Sequence, residues 1–258
     1  MAALNTRDPR FPTPGPGLLT GEGPVVLDRR DGPYGEAVLR RRGAHLEIIA
    51  NGTFLMDTSD GRSERLLVDV ALDALPAGRD RPSVLIGGLG VGFSLAQAAG
   101  QPRWARIDVV EREQAVIDWH RAGHFAAHTD GALDDPRVRL ITADLPAYLR
   151  TAPGERSGTE PAGAGARPPA GGYDALCLDI DNGPDWTVTD NNGSLYSPSG
   201  LDDCRELLSP GGVLAVWSAQ PSAAFETALK GAGYTGVRSL EVPVARGVPD
   251  VVHVAVKA

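Results

Sequence analysis

Cysteine, aromatic residues and long apolar runs are all in short supply in this chain of 258 residues. Its two cysteines, Cys177 and Cys204, neither build a disulfide framework nor fall at metal-ligand spacing, and both are expected as reduced core residues. No apolar segment of about 18 residues occurs, and the first 23 residues, rich in Pro, Gly and Ala, hold nothing like a signal-peptide core. A cytoplasmic protein without membrane contact is therefore expected. Positive charge is scarce too, with 25 Lys and Arg against 33 Asp and Glu and a net charge of −8. That balance leaves no electrostatic footprint for nucleic acid or an anionic membrane. The one local basic run, Arg40-Arg41-Arg42, is expected at a solvated hairpin edge. What the chain does have is a 42% share of hydrophobic residues, 32 glycines, and length enough for one large domain or one large and one small.

Those glycines cluster where an apolar run ends. Val84-Leu85-Ile86 leads into Gly87-Gly88-Leu89-Gly90-Val91-Gly92, and a second apolar run closes on an acid, Glu111, 19 residues after Gly92. A strand that ends in glycines and turns into a helix lets backbone N–H groups approach a ligand, and an acid after the next strand suits a ribose diol. Gly88, Gly90 and Gly92 fall at every second position, without the three-residue step of a dinucleotide fingerprint. This spacing favours S-adenosylmethionine (SAM) over NAD. The competing reading of the glycines alone is a tight strand-to-helix turn without ligand. A third apolar run ends in Asp144, placed to take an adenine amino group. Three consecutive strands thus end in candidate ligand groups, where open α/β sheets bind ligands.

Strand signals at 83–87, 106–110, 137–142, 173–179 and 212–218, with helical patterns between most of them, predict a doubly wound, Rossmann-like α/β sheet. Two closing strands, 237–242 and 251–256, make it seven-stranded and mostly parallel. Upstream, residues 24–58 alternate apolar and polar side chains and turn at Asp31-Gly32, Arg42-Gly43 and Asn51-Gly52, which predicts a small antiparallel β-rich unit. A helix is expected from Ser63, as N-cap, to Leu75. The expected organisation is a disordered start (1–23), a β-rich domain (24–62) and the larger domain (63–258), interrupted by a mobile low-complexity insertion at 151–172.

The fourth of the parallel strands ends in Asp179-Ile180-Asp181-Asn182-Gly183-Pro184-Asp185-Trp186. Transfer from a sulfonium needs an aligned nucleophile, unprotonated if it is an amine, and Asp179 with Asp181 are the expected catalytic pair. They share a face if strand alternation persists. An Asx-rich turn that only caps backbone is the alternative for Asp181. Asn182, Asp185, Trp186 and Tyr196 are candidate acceptor contacts, with Asn192 beside them, ahead of a helix capped near Ser199. Trp186 and Trp217 form either an aromatic wall around a cation or core packing. His120, His124 and His128 recur every four residues, but Gly123 interrupts their helix, so solvent-facing histidines and no metal are expected.

These segments, together with Leu208-Ser209-Pro210-Gly211-Gly212, resemble the spermidine synthase (polyamine aminopropyltransferase) family of the class I SAM-methyltransferase superfamily. The resemblance implies a small N-terminal β-domain ahead of a SAM-methyltransferase-like domain. It also implies that Glu111 and Asp144 hold ribose and adenine, and that Asp179 activates an amine. The glycine loop at Gly87, Gly88, Leu89, Gly90 and Gly92 would hold the nucleoside. The family's loop carries an aspartate for the amino group of decarboxylated SAM, and Leu89 is its counterpart here. The family's Tyr-His-Glu motif is replaced by Ser63-Glu64 and its neighbours. The expected activity is therefore alkyl transfer, methyl rather than aminopropyl, to a small-molecule acceptor. True aminopropyl transfer from decarboxylated SAM to a diamine, and a noncatalytic nucleoside-binding scaffold, are the alternatives. A homodimer is expected, from the family and from the edges of the small β-unit.

Overall fold

A computed structural model describes residues 23–150, 168–187, 190–245 and 247–258. The expected disordered start, up to residue 22, and residues 151–167 of the expected insertion lie outside the described residues.

The chain begins with four antiparallel strands in sequence order, β1 (Val25–Gly32), β2 (Gly35–Arg42), β3 (His45–Ala50) and β4 (Thr53–Asp57). The first turn falls two residues later than expected. Pairing runs to Gly32 opposite Gly35, so Pro33-Tyr34 closes the hairpin, and Gly35 takes the left-handed conformation at φ +107°. Asn51 secures the turn by accepting from the Glu36 N–H and donating to the Tyr34 carbonyl. The basic run is not simply solvated. Arg40 and Arg42 both pair with Glu47, whose side chain is buried, so the arginines compensate a carboxylate that has lost its water.

The second sheet has the order β10-β11-β9-β8-β5-β6-β7. Its parallel strands are β5 (Ser83–Gly87), β6 (Arg106–Glu111), β7 (Val138–Thr142), β8 (Tyr173–Leu178) and β9 (Leu208–Ser218). The pair β10 (Tyr234–Val242) and β11 (Asp250–Lys257) closes it antiparallel through β9. The seven-stranded, mostly parallel expectation is met. β9 starts four residues earlier than its sequence signal, at Leu208, and runs through Pro210-Gly211.

Helices cover both faces. α1 (Arg62–Asp73), α2 (Phe93–Gly100) and α3 (Gln114–Arg121), with the short α4 (Ala126–Thr129), lie on one face. α5 (Leu145–Arg150), α6 (Pro198–Leu207) and α7 (Ala223–Gly231) lie on the other. The two-residue period of a strand divides the core between them. Val84 and Ile86 of β5 pack with α1 to α3, while Leu85 packs with α5 to α7. Ala37, Leu39 and Ile48 of the N-terminal sheet join the first core, so the small sheet is buried against the larger one. Among the described residues no helix is long and apolar enough to cross a membrane. Cys177 and Cys204 are buried and free.

Two helix starts differ from the sequence reading. α1 begins at Arg62 with Gly61 as N-cap, because Gly61 sits so close to the Phe93 ring that a Cβ would stand 2.4 Å from it. Ser63, released from capping, turns its hydroxyl to Glu64 and Asp250. α6 is capped by Ser197, not Ser199. Its hydroxyl accepts from the Gly200 N–H, and Pro198 follows at the first helical position, where no N–H is needed.

A buried polar group ties the base of the sheet together. Asp108 of β6 is fully buried and accepts from Arg106 and, at 2.5 Å, from the Tyr173 hydroxyl, which also meets the Tyr148 hydroxyl at 2.9 Å. Tyr173→Phe removes the donor and leaves the carboxylate under-satisfied. A stability loss of about 1.5–3 kcal/mol in urea denaturation is expected, with β8 still paired in the fold.

Candidate active site

A cavity of about 620 Å³ opens at the carboxyl ends of β5, β6 and β8, with β4 of the small sheet forming part of its wall. Its floor is the glycine loop. Gly88, Gly90 and Gly92 all take positive φ, at +95°, +48° and +95°. A Cβ on Gly88 would stand 2.2 Å from the Asp179 carbonyl oxygen, and one on Gly90 would stand 2.3 Å from Met56 Sδ. Only glycine permits this packing. Gly88 and Gly90 line the cavity. Gly87 lies beneath Leu145, Leu178 and Ile180, and Gly92, the N-cap of α2, lies against Thr129 and His120.

Leu89 corrects an expectation. Its side chain is buried in the core, and only its N–H serves the site, donating to Glu111 Oε2 at 3.0 Å. The loop position that faces the cavity is Gly90, and what lies over it is the Met56 thioether, which also accepts from the Val91 N–H at 3.3 Å. No carboxylate comes from the loop itself, because Gly87-Gly88-Leu89-Gly90-Val91-Gly92 contains no acid.

His120 is a second correction. It is buried, stacked obliquely on Phe125, and its Nε2 lies 2.8 Å from the Gly90 carbonyl. It supports the loop from behind. His128 meets Phe93 edge to face and His124 is exposed. Gly123 at φ +81° breaks the helix between them, and among the described residues no cluster of His, Cys, Asp or Glu is arranged to hold a metal ion.

Glu111 lines the cavity with both oxygens already accepting backbone N–H groups, from Leu89 and, at 2.7 Å, from Glu113. Burial raises its pKa, and those N–H groups oppose the shift. Asp144 stands between two lining residues, Ala143 and Leu145. One oxygen accepts from the Ala147 N–H at the start of α5, and the other, Oδ1, is buried without a partner. An orphaned acceptor at a cavity edge is a place for a ligand donor.

Asp179, Ile180, Asp181 and Asn182 continue the wall beyond β8. Strand alternation stops at Leu178, and Asp181 takes φ +53°. The two acids reach the same cavity by this kink rather than by a shared strand face. Asp179 Oδ2 accepts from the Ser94 hydroxyl of α2 at 3.0 Å, and Asp181 accepts from Asn192 at 2.9 Å. Asp185 and Trp186 fall outside the wall, with Trp186 51% exposed, because Asn182 and Trp186 bond to each other through backbone and turn the segment outward. Tyr196 is core, edge-on to Phe225, with its hydroxyl donating to the Ile180 carbonyl. Trp217 lines the wall.

The remaining wall residues were not singled out from the sequence. Among the described residues, Asp57, Asp60, Glu64, Glu113 and Asp250 bring the carboxylates around the cavity to eight, against one lining cation, Arg112. Glu64 did carry a signal, since it shares the buried stripe of α1 with Leu67, Val68 and Ala71. Asp250 arrives from the far end of the chain and had none. Burial first, and then the Asp179 charge, push Glu64 up to about 8. Burial pushes Asp179 up to about 6 against the Ser94 hydrogen bond, with Asp250 adding to the rise. A positive group placed against such a wall relieves carboxylate repulsion.

From its ordinary value of 4.5 up to about 8, Glu64 binds a proton in the folded protein that the unfolded chain has given up. Stability therefore falls as pH rises through this window. Glu64→Gln cannot ionise. Its Tm is expected to exceed the parent's above pH 8 and to lose that advantage below pH 4.5, in thermal melts across pH.

No protein-family model matches the chain. A polyamine aminopropyltransferase of Mycobacterium tuberculosis (strain ATCC 25618 / H37Rv) is 30% identical over 196 residues, 76% of this chain and 33% of that protein. Putrescine N-methyltransferase 1 of Nicotiana tabacum is 28% identical over 149 residues, 58% of this chain and 33% of that protein. The chain thus spans about a third of the length of these relatives. Two crystal structures share the fold. A spermidine synthase in complex with the transition-state analogue AdoDATO superposes with a TM-score of 0.70 at 17% identity, covering 91% of this chain and 74% of that one. The spermidine synthase from Thermotoga maritima gives 0.68 at 16% identity, with coverage of 91% and 73%. By sequence over 76% of its length and by fold over 91%, the chain is spermidine-synthase-like.

Proposed function

We propose that the cavity binds a SAM-type sulfonium nucleoside beside a small cationic amine and transfers an alkyl group to that amine. The observation that carries the reading is Asp179: a half-buried carboxylate, fixed by Ser94, between the glycine loop and a wall of acids. The residues fit a nucleoside. Gly88 and Gly90 present bare backbone to the cavity, Glu111 stands at the end of β6 for a ribose diol, and Asp144 Oδ1, next in sequence to the lining residues Ala143 and Leu145, is an acceptor without a partner for an adenine amino group. The nucleoside supplies an electrophilic carbon on a positively charged sulfur. Asp179 takes a proton from the acceptor ammonium, so that a neutral amine faces that carbon, and the acid wall holds the rest of the cation in line. Asp181 orients the acceptor alongside.

The transferred group is read as methyl, from SAM, because Leu89 stands where the family's loop carries the aspartate for the amino group of decarboxylated SAM, and Met56 of β4 covers Gly90 beside it. Aminopropyl transfer from decarboxylated SAM is the second reading, favoured by the eight carboxylates of the wall, which suit a donor without a carboxylate of its own. Relatives named for each chemistry support the pair of readings equally.

Parallel calorimetric titration with SAM and decarboxylated SAM, followed by product mass with a diamine, separates the two. Binding without turnover on any amine would leave a nucleoside-binding scaffold. Asp179→Asn is expected to lower turnover about a hundredfold or more while nucleoside Kd stays within a few-fold. Because Asp179 works ionised, kcat/KM of the parent should fall as pH drops through about 6. Glu111→Ala should weaken nucleoside binding by about 1.5–3 kcal/mol, the scale of charge-assisted hydrogen bonds. Unchanged affinity would remove Glu111 from the site.

A further inference from the structure

Two serine hydroxyls organise three carboxyl groups on one side of the cavity. Ser94 of α2 stands between the Glu64 carbonyl oxygen, at 3.2 Å, and Asp179 Oδ2, at 3.0 Å. Ser63 of α1 stands between Glu64 Oε2, at 2.9 Å, and Asp250 Oδ2, at 2.8 Å. The second arrangement poses a count of hydrogens. A hydroxyl has one proton to donate, and ionised carboxylates only accept. Two oxygen–oxygen contacts below 3 Å on either side of Ser63 therefore need a second proton, carried by one of the two carboxyls. Ser63 and Glu64 are buried, and Glu64 and Asp250 both line the cavity. Among the described residues, the groups that face the pair are Asp179 beyond β8, Asp60 ahead of α1, and Arg62, whose guanidinium is engaged by Asp60. The surroundings are thus mainly anionic, which favours retention of that proton.

We propose that Glu64 and Asp250, joined through Ser63, hold one shared proton beside Asp179 in the empty site and release it when a cationic amine enters. The inference rests on the amine-acceptor reading above and deepens it. In the release step the carboxyl O–H bond breaks, its proton passes to solvent, and the carboxylate left behind pairs with the incoming ammonium. With the proton in place, the empty site is spared one negative charge next to Asp179. With it gone, the acceptor meets full carboxylate charge. Ser63 is a positioning residue, and Glu64 is the group that exchanges proton for amine.

The test uses the whole chain at pH 7, with 5′-methylthioadenosine filling the nucleoside half and putrescine as the amine probe. Infrared difference spectra should contain a protonated-carboxyl band in the unliganded parent that putrescine removes and that Glu64→Gln lacks. Calorimetry in two buffers of different ionisation heat should count about one proton released per putrescine bound by the parent, and none by Glu64→Gln. Ser63→Ala keeps both carboxyls and should move the pH midpoint of release downward, since the bridged, protonated form loses its support. Absence of the band, equal proton counts in parent and Glu64→Gln, or an unmoved midpoint in Ser63→Ala would each overturn the proposal while leaving the acceptor class standing. Putrescine that binds neither protein would instead overturn the acceptor class, and the proton release with it.

Discussion

The backbone of Gly88 lies against the carbonyl of Asp179, with 2.2 Å between that oxygen and the place a Cβ would occupy. This approach extends the pairing of the central strands by one residue on each side. The Gly88 N–H reaches the Val110 carbonyl on β6, and the Asp179 N–H reaches the Gly87 carbonyl on β5. Both carboxylates on which the site depends are fixed through it. Glu111 turns back to the Leu89 N–H, and Asp179 is held where Ser94, at the start of α2, can meet it. The missing side chain at residue 88 is what allows the ends of β5, β6 and β8 to converge on one cavity.

Convergence has an electrostatic consequence. Strand ends, the β4 hairpin, α1 and β11 each bring acids to the same cavity, and burial takes most of the water from two of them, Glu64 and Glu111. In the core proper the chain behaves differently. Glu47 is flanked by two arginines, and Asp108 is met by Arg106 and Tyr173. On the cavity wall, burial instead raises the pKa values of Glu64, Glu111 and Asp179. The N-terminal sheet contributes to both halves of this arrangement. It supplies Met56 over the glycine loop and Asp57 on the wall, so it is part of the site and not only a cover.

Much of the architecture was legible from local patterns. The continuous apolar run Val84-Leu85-Ile86, buried on both faces of the sheet, the glycine turn after it and acids closing the next strands each follow from one short segment and its neighbours. Legibility failed where a residue's direction depended on a partner far along the chain. Leu89 reads as a loop residue facing a ligand, yet the turn at Gly88 buries it. His120 reads as solvent-facing, yet the loop it supports is 30 residues away. Tyr196 and Trp186 stand in a polar segment that looks like one contact surface, and backbone bonds send one into the core and the other to solvent.

By itself, the sequence determined the order of strands and helices, the place of the glycine loop and the acids Glu111 and Asp179 at the strand ends, because those depend on periodicity and on turn chemistry within a few residues. Only the tertiary structure decided that Glu64 and Asp250, 186 residues apart, share the Ser63 hydroxyl, and that Met56 rather than an acid covers Gly90. Those contacts are made by packing distant elements against one sheet edge, and no local pattern specifies which side chains a closed surface will bring together.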